Sequence, residues 1–475
     1  MKIALILMPW YRRESPSPEI AMTISILKKE NHKVLFWDIN NLMFHNTFYK
    51  RIYWKHFLID PTPETVQSFY QKTKDLFEHY AQEIISSGSE VVIFKCIGKS
   101  YYNSIKLASI IKNKDKNKTV ILCGILSLDK SDIDSFIKRQ EEIDADFVIC
   151  GEDYIALIEL LKLLEKNDIK EADRIFNKKG KIINCIDGPF IENMDDLPFF
   201  DFSDFDLNSY SIPSQLEIFV SKSCPGRCTF CIDWLTERNY RMMSGERIFR
   251  ELLYQSKLYK EVNCFRFCDK TINGNIKELT KLCDLLYDGI KKGIFLDNGW
   301  SWSGDAMIRA EMTEDLLKKM HKARCVGLGY GVESGSDKIL RDMGKKFSVA
   351  LAEEVIKNTH LSGIKTSINI MVGFPTETRK DFQETLDFIK RNKEFIDEVR
   401  LTYAGCRVYS GSYIDKNKEQ YGIAYSHTDY WSTKDNLNTY EERIRRTEEV
   451  CSLVLSLGLE LRVNSRIKRK IDIND

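Results

Sequence analysis

The sequence predicts an α/β chain. Its first part reads as a doubly wound parallel sheet, Rossmann-like or flavodoxin-like. Its second reads as a partial (β/α)6 barrel of the TIM type, followed by a short helical C-terminal segment. Three observations carry this. Short apolar, β-branched runs alternate with amphipathic stretches, the pattern of parallel strands joined by crossover helices. A length of 475 residues exceeds one ordinary domain. A loop with three closely spaced cysteines follows one of the apolar runs, where sites of such barrels lie. The expected divisions are a sheet domain over 1–165, a connector over 166–215, the barrel over 216–410 and the helical segment over 411–475.

Hydrophobic residues make up 43% and charged residues 30% of the chain, enough for sizeable cores. With 71 basic against 70 acidic residues the net charge is +1, which gives no electrostatic footing for nucleic acid or an anionic membrane. No run of about 18 apolar residues occurs, so no segment is expected to span a bilayer. Met1 to Trp10 reads as a first strand ending at Pro9 rather than an export signal. Without such a signal, 13 cysteines point to reduced thiols, metal ligation and a cytoplasmic location.

In the first domain, strands are expected at 2–8, 33–37, 91–96, 119–123 and 146–150. Helices are expected near 19–30, 65–86, 103–112, 131–140 and 154–165, the last with Ile155, Ile158, Leu161 and Leu164 as a buried stripe. Ligands of such a five-stranded parallel sheet bind beyond the strand C-terminal ends, here near Pro9, Asp38, Gly98, Gly124 and Gly151. The connector is rich in Lys, Asn and Asp before the Pro-punctuated run Gly188 to Pro198.

Barrel strands are expected at 217–220, 264–268, 294–296, 325–332, 366–373 and 399–404, separated by helices at 244–260, 275–292, 314–322, 348–362 and 379–394. Ser348 is placed to cap a helix showing Leu351, Val355 and Thr359, with Gly363 as its stop. Thr378 is placed to cap another showing Phe382, Leu386 and Ile389. The C-terminal helix begins near Asn438, with Glu441 completing a capping box, and ends at Gly458. Tyr440, Ile444, Thr447, Cys451 and Val454 are its expected inner face, and the basic run 466–470 reads as a solvated tail.

Cys224, Cys228 and Cys231, in Cys-x3-Cys-x2-Cys spacing within a Pro/Gly loop, suit one soft metal centre. A closed structural zinc or a fully ligated cluster takes four protein ligands, and this loop offers three, which leaves one metal position open. The alternative is a zinc knuckle that borrows Cys264 or Cys268.

This loop, with Phe230 just before its last cysteine, resembles the cluster loop of the radical S-adenosylmethionine (SAM) superfamily. The resemblance implies a [4Fe-4S] cluster held by Cys224, Cys228 and Cys231, with SAM on the open iron and cleaved reductively to a 5′-deoxyadenosyl radical. It sets Phe230 against the adenine, Asp269 near the SAM amino group and Arg309, at the end of the run from Ser303, near a carboxylate. Glu333 and Ser334, in Gly331-Val332-Glu333-Ser334-Gly335-Ser336, are the expected partners of ribose hydroxyls or the amino group. Gly373 and Pro375, in Gly373-Phe374-Pro375-Thr376-Glu377, form the expected turn beside the adenine. The sixth strand departs from the superfamily's pattern. Cys406 and Tyr409 beyond it are the catalytic candidates, and Trp300 and Trp302 are candidates for shaping the pocket, with plain packing the alternative for all four.

The first domain is similar to the cobalamin-binding domain that precedes many radical SAM cores, through Pro9, Asp38, Cys123-Gly124 and Asp146 to Gly151-Glu152. It departs in lacking Asp-x-His-x-x-Gly and in carrying Cys123-Gly124 for the usual Gly-Gly, which crowds a corrinoid tail. Cobalamin is thus the optional third cofactor, and a scaffold domain is the alternative. The resemblance implies an enzyme that functionalises a small molecule with electrons from an external one-electron reductant of flavodoxin or ferredoxin type. Cobalamin-dependent methylation at an unactivated carbon is the leading outcome. A non-methylating radical dehydration, rearrangement or oxidation is the alternative, and a non-catalytic iron–sulfur or zinc module is the reading from another class. The neutral charge argues against an RNA-modifying role.

Overall fold

The structure, a computed structural model, describes residues 1–46, 63–125, 143–168, 182–184, 190–236, 239–295, 299–403, 405–425 and 428–463. They belong to two compact units, Met1–Glu217 and Ile218–Asp475. The helix expected at 131–140 and the basic run 466–470 lie outside the described residues.

The first unit is built on a parallel sheet of β1 (Lys2–Leu7), β2 (Lys33–Asp38), β3 (Val91–Lys95), β4 (Thr119–Ile125), β5 (Phe147–Cys150) and β6 (Ile182–Asn184). The strand order β2-β1-β3-β4-β5-β6 is the flavodoxin-like arrangement with one strand added. In β1, Ile3 through Leu7 are all buried, as a strand covered by helices on both faces requires. Its crossovers are α1 (Pro18–Lys29), α2 (Ile39–Asn46), α3 (Pro63–Ser86), α4 (Tyr101–Lys114) and α5 (Tyr154–Glu165). α1 starts where Ser17 Oγ accepts the Ile20 N–H at 3.4 Å, and Pro18 fills a first-turn position that needs no donor.

Three expectations need correction here. The sheet has six strands rather than five, because Ile182-Ile183-Asn184 is too short to show a period. α2 follows β2 directly, started by Asp38, whose Oδ1 accepts the Asn41 N–H at 3.0 Å, and the sequence reading places no helix there. The buried face of α5 is Tyr154, Ala156, Leu157, Leu160, Leu161 and Leu163, while Ile155, Ile158 and Leu164 are half-buried. A strict spacing of three drifts around a helix of 3.6 residues per turn, so that stripe could not stay on one side.

The second unit curls a parallel sheet into a partial barrel: β7 (Gln215–Ile218), β8 (Cys264–Phe267), β9 (Ser301–Ala306), β10 (Cys325–Glu333), β11 (Lys365–Ile370), β12 (Glu398–Leu401) and β13 (Glu460–Val463), in that order across the sheet. Around it lie α6 (Gly245–Leu258), α7 (Ile276–Lys291), α8 (Glu314–Lys322), α9 (Asp337–Asp342), α10 (Val349–Leu361), α11 (Arg379–Arg391) and α12 (Tyr440–Ser456). Ser348 caps α10 through the Leu351 N–H at 3.3 Å, and Thr378 with Asp381 forms a capping box on α11. No helix of the described residues is long and apolar enough to cross a membrane.

The third barrel strand is 301–306, not 294–296. Its sequence, Ser-Trp-Ser-Gly-Asp-Ala, turns a polar face inward and so lacks an apolar run. Trp300 and Trp302 are core residues: they pack on Phe295 and Phe267, and Trp302 Nε1 donates to the Ala323 carbonyl at 2.8 Å. The C-terminal segment is not purely helical, since β13 pairs parallel with β12 as a seventh strand. α12 is capped by Thr439, one residue beyond the expected start, through the Glu442 N–H at 3.3 Å. Its buried face also differs: Arg443 and Arg446 are buried beside Thr447, Val450, Cys451 and Val454, and Tyr440 and Ile444 are only half-buried.

Candidate active site

The cysteine loop leaves the barrel just beyond β7, and its exit is fixed by Asp269 from the end of β8. The Asp269 carboxylate accepts the N–H of Val220 at 2.9 Å, the N–H of Ser221 and the Ser221 hydroxyl at 2.6 Å. Burial pushes the Asp269 pKa up to about 7, although these donors pull the other way. Ser223 then adopts a left-handed φ of 66° and turns the chain into Cys224. The loop is braced from the α9 side: Thr229 donates its N–H to the Met343 carbonyl at 2.9 Å and its hydroxyl to that of Asp342 at 3.1 Å. Gly344, at φ 74°, lets this support approach, since a Cβ there would lie 3.2 Å from the Arg227 carbonyl oxygen.

All three thiols are half-buried on this one loop. A Cβ added at Gly226 would meet Cys224 Sγ at 3.4 Å and Cys228 Sγ at 3.9 Å, so both sulfurs flank the glycine. Cys224 Sγ accepts the Gly226 N–H at 3.3 Å and sits 4.0 Å from Met307 Sδ. Burial raises the pKa of each thiol, that of Cys231 to about 12, so a bound metal would have to hold them as thiolates. Among the described residues, no three His, Cys, Asp or Glu side chains close on one point as a single metal ion requires. A cluster several atoms across takes its thiolates from further apart, and a three-thiol loop on a rigid brace fits that group.

Across from the loop, β10 ends at Glu333, which holds a left-handed φ of 71° beside a register shift against β11. Strain of that kind persists only where its surroundings over-determine it. Lys345 Nζ reaches the Gly331 carbonyl at 2.8 Å and Glu333 Oε1 at 3.4 Å, and lies 5.8 Å above the Phe230 ring. Burial lowers the Lys345 pKa, but Glu333 and the Cys228 thiol outweigh it, and the ammonium is held above its ordinary range. Lys345 was not singled out from the sequence. The only signal was a Gly344-Lys345 pair where a helix would stop, and that does not say where the side chain goes.

Phe230, Glu333 and the cysteines therefore face one another, whereas other expected residues have other engagements. The Ser334 hydroxyl is buried against Thr385 Oγ1 at 3.1 Å and accepts the Ser336 N–H. Arg309 spends Nη1 on the carbonyls of Asn273 and Gly274, at 2.9 and 3.1 Å, and Nη2 on Glu311. Gly373 has a φ of 70° and donates its N–H to Glu377 Oε2 at 2.6 Å, with Pro375 buried in the same turn. Cys406 is buried in an apolar cluster with Met371, Phe374 and Trp431, and burial pushes its thiol up to about 12. Tyr409 accepts a hydrogen bond from Arg407 at 3.3 Å.

The barrel interior is polar. A cavity of about 260 Å³ is lined by Ser303, Asp305, Gly329, Ser367, Glu398 and Arg400, among others. Arg400 crosses it to Asp305 at 2.9 Å, over Gly329, where a Cβ would lie 2.1 Å from Asp305 Oδ1. Only glycine leaves that path clear.

In the first unit, Lys95 at the end of β3 is buried and donates to both Asp153 oxygens, at 2.8 and 2.6 Å. Its stem fills the space at Gly124, where a Cβ would lie 3.1 Å from Lys95 Cε, and Cys123 is buried beside it. A corrinoid tail entering at the end of β4 would have to displace this buried ion pair, so these residues do not fit such a tail.

The sequence profile of the Radical SAM superfamily matches residues 218–389. An uncharacterized methyltransferase of Pyrococcus horikoshii is 25% identical over 347 residues, covering 70% of this chain and 71% of the relative. The anaerobic magnesium-protoporphyrin IX monomethyl ester cyclase of Cereibacter sphaeroides is 24% identical over 323 residues, covering 65% of this chain and only 50% of the relative. Among solved structures, the radical SAM methyltransferase TsrM of Kitasatospora setae, with tryptophan and a SAM analogue bound, superposes with a TM-score of 0.65 at 12% identity, covering 94% of this chain and 82% of that one. The cobalamin-dependent SAM radical enzyme OxsB superposes with a TM-score of 0.59 at 15% identity over 97% of this chain and 62% of its own.

Proposed function

Because this chain is an enzyme carrying a radical SAM domain over residues 218–389, we propose that it uses a cluster at Cys224, Cys228 and Cys231 to act on a small-molecule substrate, with methyl transfer as the outcome. The observation that carries the proposal is the convergence of three loop thiols with Glu333 and Lys345 at the C-terminal end of the strands. When bound, the [4Fe-4S] cluster supplies the electron that cleaves SAM to a 5′-deoxyadenosyl radical.

The chain's own residues do the rest. Lys345 sets a half-buried cation beside Cys228 and Cys231, which offsets the negative charge of thiolates there. Glu333 carries an acceptor for the amino or ribose donors of SAM, and Phe230 offers an aromatic surface for the adenine. Asp269 holds the loop's exit rigid.

Methyl transfer is supported by the fold shared with TsrM over nearly the whole chain and by the methyltransferase relative. The Lys95–Asp153 pair favours a second reading, a non-methylating radical reaction with the first unit as scaffold. Anaerobic purification with cobalamin supplied, followed by iron analysis and an ultraviolet–visible spectrum, separates them. Stoichiometric corrinoid bands support methyl transfer, and a cluster spectrum alone supports the second reading. Absence of SAM-derived 5′-deoxyadenosine from the reduced, cluster-loaded protein would sink both.

A further inference from the structure

α12 does what an outer helix ordinarily does not: it turns two arginines inward. Arg443 is 0% and Arg446 3% exposed. Arg446 Nη1 donates to Glu377 Oε2 at 2.7 Å and to the Glu377 carbonyl at 3.2 Å. Glu377 Oε2 is also the acceptor of the Gly373 N–H, so one carboxylate oxygen links α12 to the first residue of the turn 373–377. Arg443 approaches the same turn from beneath. Its stem occupies the place of the missing Gly373 side chain, where a Cβ would lie 2.3 Å from Arg443 Cγ. Its guanidinium is tied to the carbonyls of Asp429 and Trp431, at 2.8 and 3.1 Å, and lies 4.0 Å above the Trp431 ring. Asn438, just ahead of α12, donates to the carbonyls of Gly373 and Phe374 at 3.2 and 3.0 Å.

The Gly373 N–H and the carbonyls of Gly373 and Phe374 are thus held by the C-terminal segment or by a carboxylate that the segment grips. A buried ion pair is a poor means of stabilising a fold, since desolvation offsets most of its attraction. Here it is also incomplete, because Glu377 Oε1 is buried with no hydrogen-bond partner among the described residues. Such a pair is better explained by the geometry it imposes.

We propose that Arg446, acting through Glu377, and Arg443, acting through Gly373, are positioning residues for the cofactor-binding turn, so that α12 is a working part of the SAM site. This rests on the reading of 373–377 as the turn beside the adenine. It predicts that loss of the clamp weakens SAM binding while the cysteine loop keeps its cluster, because the substitutions leave in place both the loop's own bonds from Thr229 to Met343 and Asp342 and the turn's link to α9 through Thr376 and Asp342.

The test is equilibrium dialysis of radiolabelled SAM against anaerobic, cluster-loaded full-length protein. Wild type, Arg446→Met, Arg446→Lys, Glu377→Gln and the Arg446→Met/Glu377→Gln double variant are compared at equal iron content. Loss of a buried charge-assisted hydrogen bond corresponds to roughly tenfold or more in affinity. We expect that weakening in Arg446→Met, a smaller one in Glu377→Gln, partial recovery in Arg446→Lys, and a double variant no worse than the weaker single one. Should Arg446→Met fail to fold, Glu377→Gln, which keeps the side-chain shape, carries the test alone. SAM affinity within twofold of wild type in Glu377→Gln, at full iron content, overturns the proposal. A wild-type protein that holds its cluster but binds no SAM overturns the functional reading itself.

Discussion

Replacing Asp269 by alanine distinguishes a residue that touches SAM from one that anchors the cysteine loop. In the structure its carboxylate is consumed by the amides of Val220 and Ser221 and by the Ser221 hydroxyl, all buried. Alanine leaves two buried backbone donors without an acceptor, at about 1–3 kcal/mol each. The total, roughly 2–6 kcal/mol, is a large part of the ~5–15 kcal/mol that holds an ordinary domain together. Asparagine should fall between, because both N–H groups and the hydroxyl converge on Oδ1, which an amide oxygen replaces without the charge, while the amide nitrogen takes the place of Oδ2, 3.2 Å from the Val220 N–H. The assay is urea denaturation of the metal-free protein, followed by iron and sulfide analysis after anaerobic reconstitution. The expected order is wild type, Asp269→Asn, Asp269→Ala in both midpoint and iron content. An alanine variant with wild-type midpoint and full iron, impaired only in SAM affinity, would refute the anchoring argument and return Asp269 to the cofactor.

Cys224→Ala, Cys228→Ala or Cys231→Ala should each abolish 5′-deoxyadenosine formation, measured with dithionite as reductant. Lys345→Met removes the half-buried cation beside Cys228 and Cys231, so the midpoint potential of the reconstituted cluster should become more negative by spectroelectrochemical titration. Gly335→Ala places a Cβ 2.7 Å from the Glu384 carbonyl oxygen and 2.8 Å from Thr385 Cα, backbone that cannot give way, and should lower stability by about 1–3 kcal/mol in urea. Burial raises the Glu377 pKa from 4.5 to about 7 despite Arg446. A carboxyl raised on folding contributes stability below its ordinary pKa and loses it as pH climbs through about 7, so the urea midpoint should be lower at pH 8 than at pH 5, by less in Glu377→Gln.

Reading the sequence was enough for whatever local chemistry specifies. The β/α alternation, the caps at Ser348 and Thr378 and the three-thiol loop are each set by residues close together in the chain, and each stands where local rules put it. β9 was misplaced because its inward face is polar, and β6 and β13 were missed because three- or four-residue strands carry no readable period. The roles of Lys345, Arg443 and Arg446 were invisible for a different reason. A lone Lys or Arg on a helix or in a turn defaults to solvent, and only partners distant in sequence reverse that default. Those partners are Glu333 and Cys228 for Lys345, Glu377 for Arg446, and the Trp431 and Asp429 carbonyls for Arg443. The sequence by itself determined that three thiols share one short loop and that a strand leads into it. Tertiary packing decided which buried charges hold them in place, because the cost of burying a charge is offset only by groups the fold brings to it.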